Sequence, residues 1–237
     1  MADFESLRST QMQSGVAVDE RVTSFLRRVY GWMFVGLGVT AAVAMTMASS
    51  PAMVRTLAGN PILFFGVIFA QLGLVWWISA RVGSLAPGTA AGLFVLYSAL
   101  TGVTFSLILL AYTGASVASA FATTAGMFGA LALYGSTARR SLAGLGQFAF
   151  MGLVGVIIAS VVGFFWRNDT LQLVISLVGV IVFTCLTAYD AQRLKTMALQ
   201  VEGEQAGSYA ISGALSLYLN FINLFLMILR LLGSRRN

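Results

Sequence analysis

The chain has 237 residues, 58% of them apolar and 9% charged, with a formal charge of +6. A water-soluble domain carries about a quarter of its residues as charges, so this composition excludes that class. There is no histidine and a single cysteine, Cys185, which removes metal–histidine centres, Ser-His or Cys-His nucleophiles, zinc sites and disulfide frameworks.

Residues 1–28 are polar and carry Asp3, Glu5, Asp19 and Glu20, unlike a cleavable signal peptide. They read as a short, mobile tail ending in Arg27 and Arg28. Apolar spans follow at about 29–49, 61–80, 88–112, 115–134, 145–166, 171–190 and 211–232. Each has the length needed to cross about 30 Å of hydrocarbon. Backbone amides in lipid must be satisfied within their own segment, which makes such spans helices. The alternation of apolar and polar residues that marks a barrel strand is missing. The expected fold is therefore an all-α membrane protein of seven transmembrane helices in one domain, residues 29–233, with a basic tail at 234–237.

The breaks are built from membrane-interface residues. Ser49-Ser50-Pro51 ends the first span, Asn60-Pro61 opens the second, and Arg81 to Pro87 leads to the third. Tyr112-Thr113-Gly114 is a very short turn, Arg139-Arg140 follows the fourth span, and Trp166-Arg167-Asn168-Asp169 caps the fifth. Ala191 to Ala210 reads as the longest internal polar loop. With the amino terminus inside, the inner side holds Arg8, Arg21, Arg27, Arg28, Arg81, Arg139, Arg140, Arg193 and Lys195, and the outer loops hold Arg55 and Arg167. That asymmetry predicts a cytoplasmic amino terminus. Seven full crossings would leave Arg230, Arg235 and Arg236 outside, so a re-entrant or only partly spanning seventh segment is the competing expectation, and the side of the carboxyl terminus stays open. The basic residues sit in loops and termini without interleaved aromatics, which argues against nucleic acid as a partner.

Small residues recur at helical spacing. They are Gly88, Gly92, Ala99, Gly102 and Ser106 in the third span, Gly114 through Ala118, Ala122, Ala125, Gly129, Ala132 and Ser136 in the fourth, and Gly152, Gly155, Ala159 and Gly163 in the fifth. Such faces serve close helix packing in lipid, or line a narrow path if polar groups stand beside them.

Asp169 lies in a loop, and Glu202 and Glu204 lie in the long inner loop, so Asp190 is the acid that closes an apolar run. An ionised carboxylate inside a bundle is costly unless paired or hydrated, which makes it a functional candidate. The plain alternative is an interfacial i,i+3 pair with Arg193. In the seventh span Ser216, Asn220, Asn223 and Met227 share one helical face, and two asparagines there should point into the bundle. They either tie helices together or, with Asp190, form a polar constriction on the inner side. Arg81 reads as a topology anchor or as a counter-ion to Asp190. Trp76, Trp77 and Trp166 fit an aromatic belt. Hydroxyls between Ser98 and Ser106 lack a base, and Cys185 fits a small core residue.

At these residues the chain resembles a known family. Val180 to Lys195, VIVFTCLTAYDAQRLK, and Gly213 to Gly233, GALSLYLNFINLFLMILRLLG, resemble the BAX inhibitor-1 family (the transmembrane BAX inhibitor motif superfamily), in its bacterial inner-membrane branch. Val29 to Met33, Leu96 to Gly102 and Thr124 to Ala130 support this, and the likeness covers the chain from about residue 25. The resemblance implies six helices around a central seventh, and pH-sensitive calcium leak, with suppression of cell death in eukaryotes. It also implies a sensor of two hydrogen-bonded aspartates, one per motif. The first falls on Asp190. The second falls on Asn220, where the family's LYLDFINLF reads LYLNFINLF. The family's basic partner in the second helix would map by position onto Arg81.

Two nearby carboxylates cannot both ionise cheaply, and an amide in place of one removes that coupling. The expectation is a pH response weaker than that of a two-aspartate pair, or shifted to lower pH. Three readings follow. The first is a cation leak, calcium being the transported ion and no cofactor being needed, closed where Asp190 meets Asn220. One carboxylate is thin equipment for a selective calcium site. The second is a non-conducting regulator that binds membrane proteases or stress factors. An enzyme is not expected, because no catalytic base constellation is present.

Overall fold

The computed structural model describes the backbone of residues 2–166, 168–201, 203 and 205–236, with side chains from Val18 onward except that of Pro51. Asp3, Glu5, Arg8, Arg167, Glu202 and Glu204, used above, lie outside the described side chains. Among the described residues eight helices follow in chain order: α1 (Ala2–Ala48), α2 (Pro51–Gly59), α3 (Pro61–Arg81), α4 (Pro87–Ala111), α5 (Gly114–Thr137), α6 (Ala143–Phe165), α7 (Asp169–Gln200) and α8 (Gln205–Leu232). Seven of them, all but α2, are long and apolar enough to cross a membrane.

The helix starts follow from the break residues. Proline opens α2, α3 and α4, where its missing N–H costs no hydrogen bond. The Asn60 side chain accepts from the amides of Ile62 and Leu63, and Asn168 from those of Thr170 and Leu171. Thr113 accepts from the Ser116 amide. These caps satisfy backbone donors that a membrane would leave stranded.

Helix α8 is central. It packs against α1, α3, α4, α5 and α7, and Leu217, Tyr218 and Leu224 on it are 0% exposed. Helix α6 departs from the simple ring of six, since it docks on α7. Close approach occurs where side chains vanish. A Cβ on Gly135 of α5 would overlap the Ala188 carbonyl of α7, and one on Gly102 of α4 would lie 2.7 Å from the Thr40 carbonyl of α1.

Several expectations need correction. From Ala2 onward the expected polar tail at 1–28 belongs to α1, which runs without a break into the first span. Phe25, Val29 and Met33, at helical spacing, are buried, and the Arg21 guanidinium donates to the Val201 carbonyl at 2.7 Å. This part of α1 is amphipathic, so counting apolar residues stops short while the helix continues. The same reason extends α7 to Gln200, with Ala191, Leu194 and Ala198 buried, and starts α8 at Gln205. The expected long loop at 191–210 thus shrinks to residues 201–204. The break after the first span holds α2, anchored by buried Val54 and Leu57.

The seventh segment is not re-entrant. At one end of α8 the Ser208 hydroxyl donates to the Leu85 carbonyl at 2.6 Å, beside the α3–α4 turn. At the other end Arg235 forms an antiparallel bridge with Tyr112, beside the α4–α5 turn. The small-residue face of α5 is also displaced. Ala118, Ala122, Ala125 and Gly129 are exposed, and the packed face is Ala120, Thr124, Phe128, Ala132 and Gly135.

Candidate functional site

Helices α7 and α8 form the most intimate pairing around the family-like motifs, with Met227 of α8 seated against Gly179 of α7. This brings the acid and the amide together. Asn220 Nδ2 donates to Asp190 Oδ2 at 2.8 Å. Asn220 is buried, and the Asp190 side chain is 13% exposed. Donation by the amide to a carboxylate oxygen is a charge-assisted hydrogen bond, stronger than a neutral one.

Asp190 lies well inside α7 and not at its end, because the helix continues through three further turns to Gln200. Two residues on, the Gln192 side chain ties this level to the α5–α6 turn. It donates to the Arg140 carbonyl at 2.8 Å and accepts from the Leu142 amide at 2.7 Å. Lys195 Nζ donates to the Ser136 carbonyl at 3.1 Å. The carboxylate therefore sits just within the bundle, below a belt of polar ties.

The other sequence candidates separate. Arg193 Nη1 reaches Asp190 Oδ1 at 4.0 Å, but its side chain is 55% exposed, so solvent screens the pair. Arg81 is exposed and stacks over Trp77 at 4.9 Å. The proposed Arg81–Asp190 pairing is not formed among the described residues, because Arg81 lies over Trp77 on its own helix. Asn223 Nδ2 donates back to the Leu219 carbonyl at 2.8 Å, within its own helix. Ser216 is half-buried, one turn before Asn220. Of the polar face on α8, the Asn220 side chain makes the bond to the acid.

One buried polar cluster was not found by sequence reading. On the opposite side of α8 the Tyr218 hydroxyl and Thr40 Oγ1 lie 2.6 Å apart, and Thr40 donates to the Ser98 carbonyl at 2.9 Å. Tyr218 meets Phe94 and Tyr97 edge-on, at ring separations of 5.7 and 5.8 Å. Ser98 belongs to the Ser98–Ser106 stretch read in the sequence only as hydroxyls without a base, and Thr40 and Tyr218 carry no sequence signal of their own. Thr184 of α7 adds a buried hydroxyl with no hydrogen-bond partner among the described residues. No group of three His, Cys, Asp or Glu side chains converges among those residues.

Residues 22–237 match the family described as "Inhibitor of apoptosis-promoting Bax1". The chain belongs to the Bax inhibitor-1 family. Among the proteins the chain is similar to is the inner membrane protein YbhL of Escherichia coli K12. That protein is 49% identical over 216 residues, covering 90% of this chain and 92% of that one. A protein of Borreliella burgdorferi is 43% identical, covering 90% of this chain and 93% of that one. One of Deinococcus radiodurans is 40% identical, covering 98% and 99%. Both motifs read from the sequence lie within the matched residues 22–237. In this family member the pair at their crossing is an aspartate and an asparagine.

Proposed function

We propose that this integral membrane protein is a cation leak pathway of a bacterial inner membrane, amino terminus in the cytoplasm, closed on the inner side by the contact of Asp190 with Asn220. Calcium is the cation proposed. The observation that carries the reading is the 2.8 Å hydrogen bond between α7 and α8 at a level where apolar side chains otherwise fill the bundle. A carboxylate at that depth attracts cations, and holding it to α8 keeps the two helices together. The membrane assignment is supported by seven spans and by the YbhL likeness.

Asn220 has no ionisable group, so the pair carries one titrating member. The response to pH is therefore proposed to be weaker than that of two aspartates, or shifted to lower pH. The test is calcium flux into liposomes holding the purified protein. Asp190→Ala removes the hydrogen bond and should raise the resting flux. Flux that is absent, or indifferent to this change, refutes the leak and favours a non-conducting regulator of membrane proteases or stress factors.

A further inference from the structure

Outward of the Thr40–Tyr218 contact, a lateral groove of about 200 Å³ opens between α1 and α5, floored by α4 and α8. Phe105, Phe221 and Phe225 form its back, and its lips include Met45 and Phe121, which are 62% and 49% exposed. The groove lies in the half of the bundle that ends at the α4–α5 turn. Along α1 it runs from Leu37 to Met45, roughly 12 Å at the helical rise. That approaches the depth of one leaflet, about 15 Å of the roughly 30 Å hydrocarbon core. Its walls are apolar but for Thr40, whose hydroxyl is engaged by Tyr218, so water would find few partners there. An empty concavity would forfeit dispersion contacts along its whole lining.

The mouth carries charge. The backbone of Arg236 donates to the Ala111 carbonyl at 2.9 Å, Thr113 donates to the Ser234 carbonyl at 3.1 Å, and Ser234 donates to Ser116 Oγ at 2.9 Å. These bonds pin Arg235 and Arg236 one turn beyond Ile108 and Leu109, which line the groove. Both arginines are exposed, and neither has an acidic partner among the described residues. An apolar slot of leaflet depth, with two exposed arginines on a backbone pinned one turn beyond it, has the form of one amphiphile with an anionic head.

We infer that the groove between α1 and α5 is a binding site for an anionic phospholipid, one acyl chain lying against Phe105, Phe221 and Phe225 and the phosphate meeting Arg235 and Arg236. The site goes beyond the leak reading and does not depend on it.

The test is native mass spectrometry of the full chain released from micelles doped with dioleoyl phosphatidylglycerol or dioleoyl phosphatidylcholine. The wild type should retain the anionic lipid roughly tenfold better, the scale of one or two arginine contacts at a membrane surface. Arg235→Gln with Arg236→Gln should bring retention down to that of phosphatidylcholine. Ala41→Phe, which fills the groove, should abolish retention of both lipids. Leu133→Phe, on the exposed side of α5, should leave both unchanged. Equal retention of the two lipids by the wild type would overturn the inference. So would an Ala41→Phe protein that keeps its lipid, or one that changes oligomeric mass while lipid retention stays put, which would assign the groove to a second copy of the chain. The arginine pair lies on the surface, so the headgroup arm stands even where Ala41→Phe lowers the yield of folded protein.

Discussion

Asp190 and Asn220 share one hydrogen bond of 2.8 Å, and the chemistry of that pair is set by what Asn220 lacks. A second carboxylate there would couple its ionisation to that of Asp190, splitting the two titrations apart. Asn220→Asp should therefore give a steeper pH dependence of liposome calcium flux, moved toward neutral pH. Superimposable profiles for the two proteins would discard the coupling argument. The Tyr218 hydroxyl is a separate matter, since it bonds Thr40 and stands away from the acid. Tyr218→Phe should lower stability by about 1 kcal/mol, the ordinary scale for a lost buried hydrogen bond, while leaving the pH profile of flux in place. Thermal unfolding in detergent, read beside the flux profile, checks both halves. Asp190 was legible in the sequence because an acid closing an apolar run is rare. Tyr218 was not, because a tyrosine in a membrane helix looks the same whether it faces lipid, an interface or a buried threonine.

At the scale of helices, the bundle depends on a few places where backbones touch. Gly135 of α5 faces the Ala188 carbonyl of α7, two residues before Asp190, with no room for a methyl group. Gly135→Ala should push α5 from α7 and cost about 1–3 kcal/mol, as overpacking does in a tight core. Gly126→Ala, where a Cβ meets nothing within 4 Å, should be neutral or slightly stabilising. Melting temperatures of the two variants should diverge; equal melting would mean that α5 and α7 do not need this contact. Spacing alone pointed to a different face of α5, the one through Ala118 and Gly129, which proves exposed. Small residues are tolerated against lipid as well as against a helix, so their periodicity marks two faces and does not choose between them. The helix limits show a related gap. Residues 22–28 and 191–200 carry arginine, lysine and glutamine, yet both stretches are helical with one buried stripe. Hydropathy counts charge and misses which side of the helix bears it.

For the whole molecule, seven crossings put the α3–α4 turn and the chain's last described residues at opposite ends of the bundle. In a Cys185→Ala background, Ser84→Cys and Ser234→Cys should react with a membrane-impermeant maleimide from opposite sides, Ser84→Cys from the cytoplasmic one. Labelling of both from one side would return α8 to a re-entrant path. On the proposed orientation, with the amino terminus in the cytoplasm, Arg235 and Arg236 lie outside, against the general rule. Backbone bonds fasten residues 234–236 to the α4–α5 turn, which holds these charges at that end of the bundle.

By itself the sequence determined the membrane class, the number of spans, the family and the acid worth mutating, because each rests on composition, run length or a contiguous motif. Bilayer thickness and backbone hydrogen bonding leave such a chain almost no other solution. Tertiary structure alone decided which candidates meet. It joined Asp190 to Asn220, turned Arg81 onto Trp77, and folded Asn223 back onto its own helix. It also carried α8 through the full bundle to its clasp at Tyr112. The reason is physical: a helical face is known from spacing, but its neighbour is chosen by the packing of all the helices together.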